Sequence, residues 1–297
     1  MTDPRPSTLV LGLGGAVTAI SSAALFILLA EPLPSSVIAA GRVTVTGVAL
    51  LLLLGARALR STWTVLRRPS NAVRVAVAAA LLALHFEAWV ASLTMTSVPR
   101  SVTLVATQPL FAGLLGRLVG DRAPWSLYLG AGLALVGTLL MVGEPTAAIE
   151  AGFNLGDGLA LLAGAAAAGY LVVGRSIGQQ VPLRPYLGAV HLGAALLLGL
   201  VVLLTEPDPW PSGAGTDELW VLLYLGLVPG VIGHGLINWA VRSVPVHVVA
   251  LAVLFEPIGS TLLTVLVLGH AVGWAEAMGA GVLLAGVAVG LPRRRAV

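Results

Sequence analysis

The sequence predicts an all-α integral membrane protein of ten transmembrane helices, arranged as two inverted five-helix repeats. Three observations predict it. First, the 297 residues are 58% hydrophobic and only 10% charged, against about 25% charged in a soluble globular domain. With a mean hydropathy of +0.98, the chain has too few charges to keep a surface facing water, so lipid must be its main solvent. Second, the apolar residues fall into ten long runs. Third, a stretch near residue 100 returns in the second half of the chain with the charge pattern around it reversed.

The spans follow from length. A hydrocarbon core of roughly 30 Å takes about 20 residues of helix. Runs of that kind cover 9–29, 36–56, 73–95, 99–118, 125–143, 156–176, 186–204, 219–241, 246–268 and 273–291. They are continuous and lack the alternation of a half-buried strand, so they read as helices. Proline, glycine and charge clusters separate them, as in "EPLPSS", "RRPSN", "GDRAPW" and "TEPDPWPSGAGTDE". The first run follows "MTDPRPSTLV", where Asp3 offsets Arg5, and no small-x-small cleavage site follows it. It is expected to be a retained span rather than a signal peptide. The connections are too short for a soluble domain.

Arginine placement orients the chain. All sixteen basic residues are Arg. With the N-terminus inside, the inner segments hold Arg5, Arg57, Arg60, Arg67, Arg68, Arg74, Arg117, Arg122, Arg175, Arg184, Arg242, Arg293, Arg294 and Arg295, which is fourteen of sixteen. The outer segments hold Arg100, and Arg42 falls inside a span. Glu31, Glu144, Glu150, Glu206, Asp208, Asp217 and Glu218 crowd the outer loops instead. This is the positive-inside bias, and an odd number of spans would break it. Both termini are therefore expected in the cytoplasm. The pI of about 9.9 reflects topology and not nucleic-acid binding.

The repeat is read from "TSVPRSVTLVATQPLFAGLL" (96–115) and "RSVPVHVVALAVLFEPIGSTLL" (242–263). Ser-Val-Pro recurs at 97–99 and 243–245, Gln108-Pro109 answers Glu256-Pro257, and "LGAGLALVG" (129–137) answers "MGAGVLLAG" (278–286). The expected units are 1–147 and 148–297. Five is odd, so the second unit enters the membrane upside down. Inverted repeats with broken helices near the midplane are the architecture of secondary transporters, in which exchanging the halves alternates access.

Composition excludes much else. There is no Cys, hence no disulfide and no thiolate metal site. There is no Lys, hence no Walker A lysine and no Schiff-base cofactor. No HExxH, no Gly-x-Ser-x-Gly and no pair of intramembrane Asp is present. "GLGG" at 12–15 lies in a span with no strand before it and is not a dinucleotide fingerprint. An enzyme is not expected, nor any cofactor or metal. The polar stripes are too sparse for a channel pore.

The chain resembles the drug/metabolite transporter superfamily, in particular its EamA-type ten-helix members. The resemblance rests on "LHFEAWVASLTMTSVPRSVTLVATQPLFAGLLG" and "VIGHGLINWAVRSVPVHVVALAVLFEPIGSTLL", and most specifically on Glu256-Pro257 and on the run from Gly233 to Trp239. There is one departure: where family members often carry Gly-Glu after spans 4 and 9, this chain has Gly120-Asp121 and Gly269-His270. The resemblance implies a multi-pass protein of the cytoplasmic membrane, a monomer or homodimer, that moves a small metabolite, amino acid-like or amphipathic. Its partners would be that small-molecule substrate and the lipid bilayer.

Ionisable groups inside a membrane face a partner or a cavity. His85 and Glu87 are two residues apart, about 200° around a helix, so they point to opposite faces. His85 shares a face with Trp89 and Ser92 and is expected to line a cavity. Glu87 then faces a neighbouring helix, pairs with Arg42, or joins proton coupling. Arg42 needs an anion, either Glu87, Glu256 or a substrate carboxylate. Glu256 heads a stripe with Ser260 and Thr264, and its alternatives are to carry a proton or to cap the backbone broken by Pro257. Gln108 is its uncharged counterpart, and Pro109 and Pro257 are candidate hinges. His234 and Asn238, with Trp239, either bind substrate or bond across to span 9. Arg100, His247 and His270 are expected at the interface, together with Trp63, Trp125, Trp210, Trp220 and Trp274. The Gly116/Gly120, Gly226/Gly230 and Gly286/Gly290 pairs are expected to let helices approach closely.

Overall fold

The computed structural model describes residues 5–141, 152–178, 181–268 and 272–291. Glu144, Glu150, His270 and Arg293–Arg295 lie outside the described residues. All regular structure among the described residues is helical. Eight helical stretches among the described residues are long and apolar enough to cross a membrane: Pro6–Leu28, Ser35–Leu53, Pro69–Met95, Arg100–Val119, Leu155–Ile177, Leu183–Thr205, Thr216–Val241 and Val246–Val267. Trp125–Met141 and Trp274–Gly290 are shorter, with 17 residues each, or about 26 Å of helix. In chain order these are spans 1 to 10, and the chain is a multi-pass membrane protein.

One connection is shorter than expected. The helix of span 2 runs on to Leu66, and the next begins at Pro69. The segment "GARALRSTWTVL" is mostly composed of residues that accept helix. Proline ends it by keeping Arg68 out of the helical region, then serves as the first residue of span 3.

Four spans are irregular. Span 4 breaks between Val98–Val105 and Gln108–Leu115. Span 9 breaks between Val246–Val253 and Glu256–Leu268. Both breaks fall just before the x-Pro step, because Pro109 and Pro257 have no N–H for the carbonyl four residues back. Thr107 donates its hydroxyl to the Leu104 carbonyl at 2.6 Å and so satisfies one group at the break. The interruption of span 1 at Ser21–Ser22 was not evident in the sequence. There the serine hydroxyls turn back on the Val17 and Ala19 carbonyls, and Ser260 of span 9 donates to the Ser21 carbonyl at 2.6 Å. In span 8, Gly226–His234 winds as a π-helix around Pro229, a form that concentrates at functional sites.

The packing maps onto itself when the halves are exchanged. Span 5 packs on span 10 and span 2 on span 7; span 3 lies along span 6 as span 8 lies along span 1; and span 4 meets span 9. Lipid-embedded helices gain nothing by hiding apolar surface from lipid, so small residues set the closeness of approach. Gly130 and Gly137 lie against the span 10 backbone, and Gly279 and Gly286 against that of span 5. Gly226 and Gly230 of span 8 lie against Val45 and Thr46 of span 2. The Gly116/Gly120 pair is different: Gly116 abuts Asp121 and Gly120 is a left-handed helix cap at φ 84°, the conformation that favours glycine.

Ion pairs tie span 4 to span 6 at both ends. At one end Arg100 pairs with Asp157, which also accepts from Thr96 at 2.8 Å. At the other, Asp121 pairs with Arg175 at 3.2 Å and accepts the Val246 N–H at 2.9 Å, pinning the start of span 9. His247, next to that start, is buried.

A cavity where two broken helices meet

Span 2 brings a cation to the centre of the molecule. Arg42 is 2% exposed. Its guanidinium carbon lies 4.0 Å from the Phe86 ring centroid and 5.7 Å from that of Trp89, a cation over two π faces of span 3. Gly226 and Gly230 make this placement possible, because they leave room for the Arg42–Thr46 turn against span 8. Thr46 fixes that contact by donating to the Gly226 carbonyl at 2.8 Å. Among the described residues, Arg42 Nη1 has no hydrogen-bond partner and Arg42 makes no ion pair. Its favourable electrostatic partner is Glu256, held across the cavity on span 9.

The anticipated pairing of Arg42 with Glu87 is not formed. Glu87 lies on the opposite face of span 3, where its charged neighbour is Glu206. Its Oε2 is buried without a partner among the described residues. The 200° between His85 and Glu87 thus separates a cavity side chain from one that faces away.

His85 is held by its backbone neighbour. Its Nδ1 lies 2.9 Å from the Ala163 carbonyl of span 6. A carbonyl only accepts, so Nδ1 carries the hydrogen and Nε2 remains for other partners. Trp89 stacks on the imidazole at 6.0 Å and 15°. His234, the repeat-mate on span 8, meets Phe86 edge-on at 5.2 Å.

These groups surround one cavity of about 70 Å³. Arg42, His85, Trp89, Gln108, Pro109, His234, Glu256 and Pro257 all line it. Both helix breaks therefore open onto the same space. Asn238 and Trp239 do not line it. Asn238 donates to the Tyr170 hydroxyl at 2.9 Å and to the His234 carbonyl at 2.8 Å, so it bonds to span 6 and not to span 9. Trp239 packs against Gly12 of span 1. Ser92 is bonded to Ser101 at 2.6 Å, away from the cavity.

Sequence reasoning missed Tyr170, which lines the cavity, and His191, buried on span 7 with Nδ1 2.8 Å from the Leu187 carbonyl. A signal for His191 existed. Residue 191 lies 191 − 42 = 149 positions after Arg42, and His234 lies 234 − 85 = 149 after His85.

An all-helical bundle with broken spans around a central, mostly apolar cavity that holds a few charged and hydrogen-bonding groups defines a class of multi-pass membrane protein. Residues 154–291 match the EamA-like transporter family. A Bacillus subtilis (strain 168) protein named "Uncharacterized transporter YwfM" is 28% identical over 195 residues, covering 64% of this chain and 62% of that one. A solved structure described as "Crystal structure of protein" shares the fold, with a TM-score of 0.73, 23% identity and 96% of both chains covered. The second half of the chain is thus similar to that transporter family, and the whole chain shares its fold with the solved structure.

Proposed function

We propose that the protein is a secondary transporter, an exporter rather than an enzyme, that moves a small amphipathic or amino acid-like metabolite across the cytoplasmic membrane by alternating access, both termini cytoplasmic. The observation that carries this reading is the cavity at the two helix breaks, with Arg42 and Glu256 of opposite charge on its walls. Arg42 receives an anionic group of the substrate, since a desolvated guanidinium prefers a charged acceptor. Trp89 and His85 provide a stacking wall, and Gln108 and His234 supply hydrogen bonds. The units 1–147 and 148–297 act as the exchanging halves, with Pro109 and Pro257 as hinges. Each proline leaves a turn without its usual hydrogen bond, so bending there strains fewer backbone groups. Glu256, the one carboxylate lining the cavity, is the site of proton coupling.

The test is counterflow in proteoliposomes with radiolabelled amino acids and amphipathic amines. Wild type should exchange at least one solute, and Arg42→Gln should not. A pH gradient should drive accumulation in wild type but not in Glu256→Gln. Accumulation without a gradient effect would make the protein an uncoupled facilitator. Failure of every solute to move would defeat the transport reading.

A further inference from the structure

A second polar cluster lies next to the cavity and is not part of its lining. Tyr170 and Gly174 are one helical turn apart on span 6. Asn238 and Arg242 are one turn apart at the end of span 8. The two pairs face each other, and Tyr186 of span 7 closes the third side. A Cβ built on Gly174 would lie 3.2 Å from Asn238 Oδ1 and 3.5 Å from the Tyr186 hydroxyl, so both polar atoms border the same point. The Arg242 guanidinium carbon is 5.4 Å from the Tyr186 ring centroid.

The hydrogen-bond inventory of this cluster is incomplete. Arg242 Nη1 donates to the Val181 carbonyl at 2.6 Å. Arg242 Nε and Nη2, the Tyr186 hydroxyl and Asn238 Oδ1 are buried and have no partner among the described residues. Buried polar groups are nearly always paired, and the three donors among these, Arg242 Nε and Nη2 and the Tyr186 hydroxyl, call for a guest that accepts. Nε and Nη2 lie along one edge of the guanidinium, the edge that grips a carboxylate with two parallel N–H donors. Arg242 makes no ion pair among the described residues. Tyr170 lines the main cavity and accepts from Asn238, so the cluster is continuous with that cavity.

We propose that Arg242 and Tyr186 form a second carboxylate site, beside Asn238 and one step from Arg42 along the path to the end of span 8. Arg242 Nε–H and Nη2–H hold the two carboxylate oxygens, and the Tyr186 hydroxyl donates a third hydrogen bond. The role of this site as a transit station rests on the transport reading above. The existence of the site does not, and binding alone tests it.

The probe is benzoate, with neutral benzamide as the isosteric control, followed by microscale thermophoresis on the purified full-length chain. In Arg42→Gln, which removes the cation of the main cavity, benzoate should still bind, and benzamide at least tenfold more weakly. Adding Arg242→Gln should abolish the remaining benzoate binding. Arg242→Lys should not restore it, because an ammonium lacks the fork. Tyr186→Phe should weaken it several-fold without lowering the melting temperature. Crystals soaked in 4-bromobenzoate should show bromine density beside Arg242. Benzoate binding in Arg42→Gln that is absent, or is indifferent to Arg242→Gln, would overturn the proposal and assign the cluster to water. Transport could fail while this binding persists, so the two readings fail separately.

Discussion

Gly137→Ala should loosen the fold, although alanine is the better helix former. At Gly137 an added Cβ would lie 2.7 Å from the Gly279 carbonyl oxygen and 2.7 Å from Leu283 Cα. The Leu283 backbone nitrogen would lie closer still, and all of these are well inside the 3.4 Å at which ordinary contact begins, so spans 5 and 10 must separate. All these obstacles are backbone, and no rotamer can relieve them. Overpacking of this kind costs about 1–3 kcal/mol. Helix propensity returns roughly 1 kcal/mol. Gly132→Ala, on the same helix with nothing within 4 Å of its Cβ, receives the propensity gain alone. The difference between the two variants isolates the overpacking cost, about 1–3 kcal/mol in favour of Gly132→Ala. Unfolding in detergent, by SDS titration or thermal melt, measures it. Gly279→Ala wedges the same crossing from the other side, so the Gly137→Ala/Gly279→Ala double variant should lose less than the sum of the single losses. Equal stability of Gly137→Ala and Gly132→Ala would refute the close approach of spans 5 and 10.

Further predictions concern the cavity and its supports. Arg42→Lys should keep the charge but lose the stacking on Phe86 and Trp89, weakening substrate binding by roughly tenfold while leaving expression intact; equilibrium binding of the first solute identified checks this. Thr46→Val leaves the Gly226 carbonyl without its hydroxyl donor and should destabilise by about 1–3 kcal/mol, seen as a lowered melting temperature. Gly164→Val should slow transport by more than tenfold, because even a Cβ there would sit 2.8 Å from the Val105 carbonyl at the break in span 4; initial rates of counterflow report it. Disruption of the Arg100–Asp157 pair by Asp157→Asn should leave substrate affinity unchanged and alter the exchange rate, since the pair lies at the span ends and not in the cavity.

Much of this arrangement could be read from the chain, for definite reasons. Lipid tolerates only helices whose backbone is satisfied internally, so hydropathy alone delivers the ten spans. Proline marks the breaks in spans 4 and 9 because its missing N–H is a local fact. The break in span 1 was not legible, since serine hydroxyls turning back on their own carbonyls leave no distinctive pattern until Ser260 arrives from elsewhere in the chain. The partner of Asn238 and the surroundings of Glu87 were equally hidden, because helical spacing gives a face but not the helix that face meets, and for Arg42 it left Glu87, Glu256 and substrate as open choices.

The repeat explains where function would concentrate. Exchanging the halves superimposes features that shape the molecule: the prolines at the breaks and the glycines of spans 5 and 10. His85 and His234 occupy matching positions and keep the same chemistry. The charges do not follow the exchange. Arg42 corresponds to the buried His191, and Glu256 to neutral Gln108. A cavity built from matched scaffolding therefore carries a cation from the first half and an anion from the second. Two conformations related by exchange would have similar scaffold packing, yet would present those charges differently to the two sides of the membrane. On the transport reading proposed above, a symmetric shape would keep the two states close in energy, and an asymmetric pair of charges would let a polar solute bind them differently. A ligand shifts a conformational equilibrium only through such a difference in affinity.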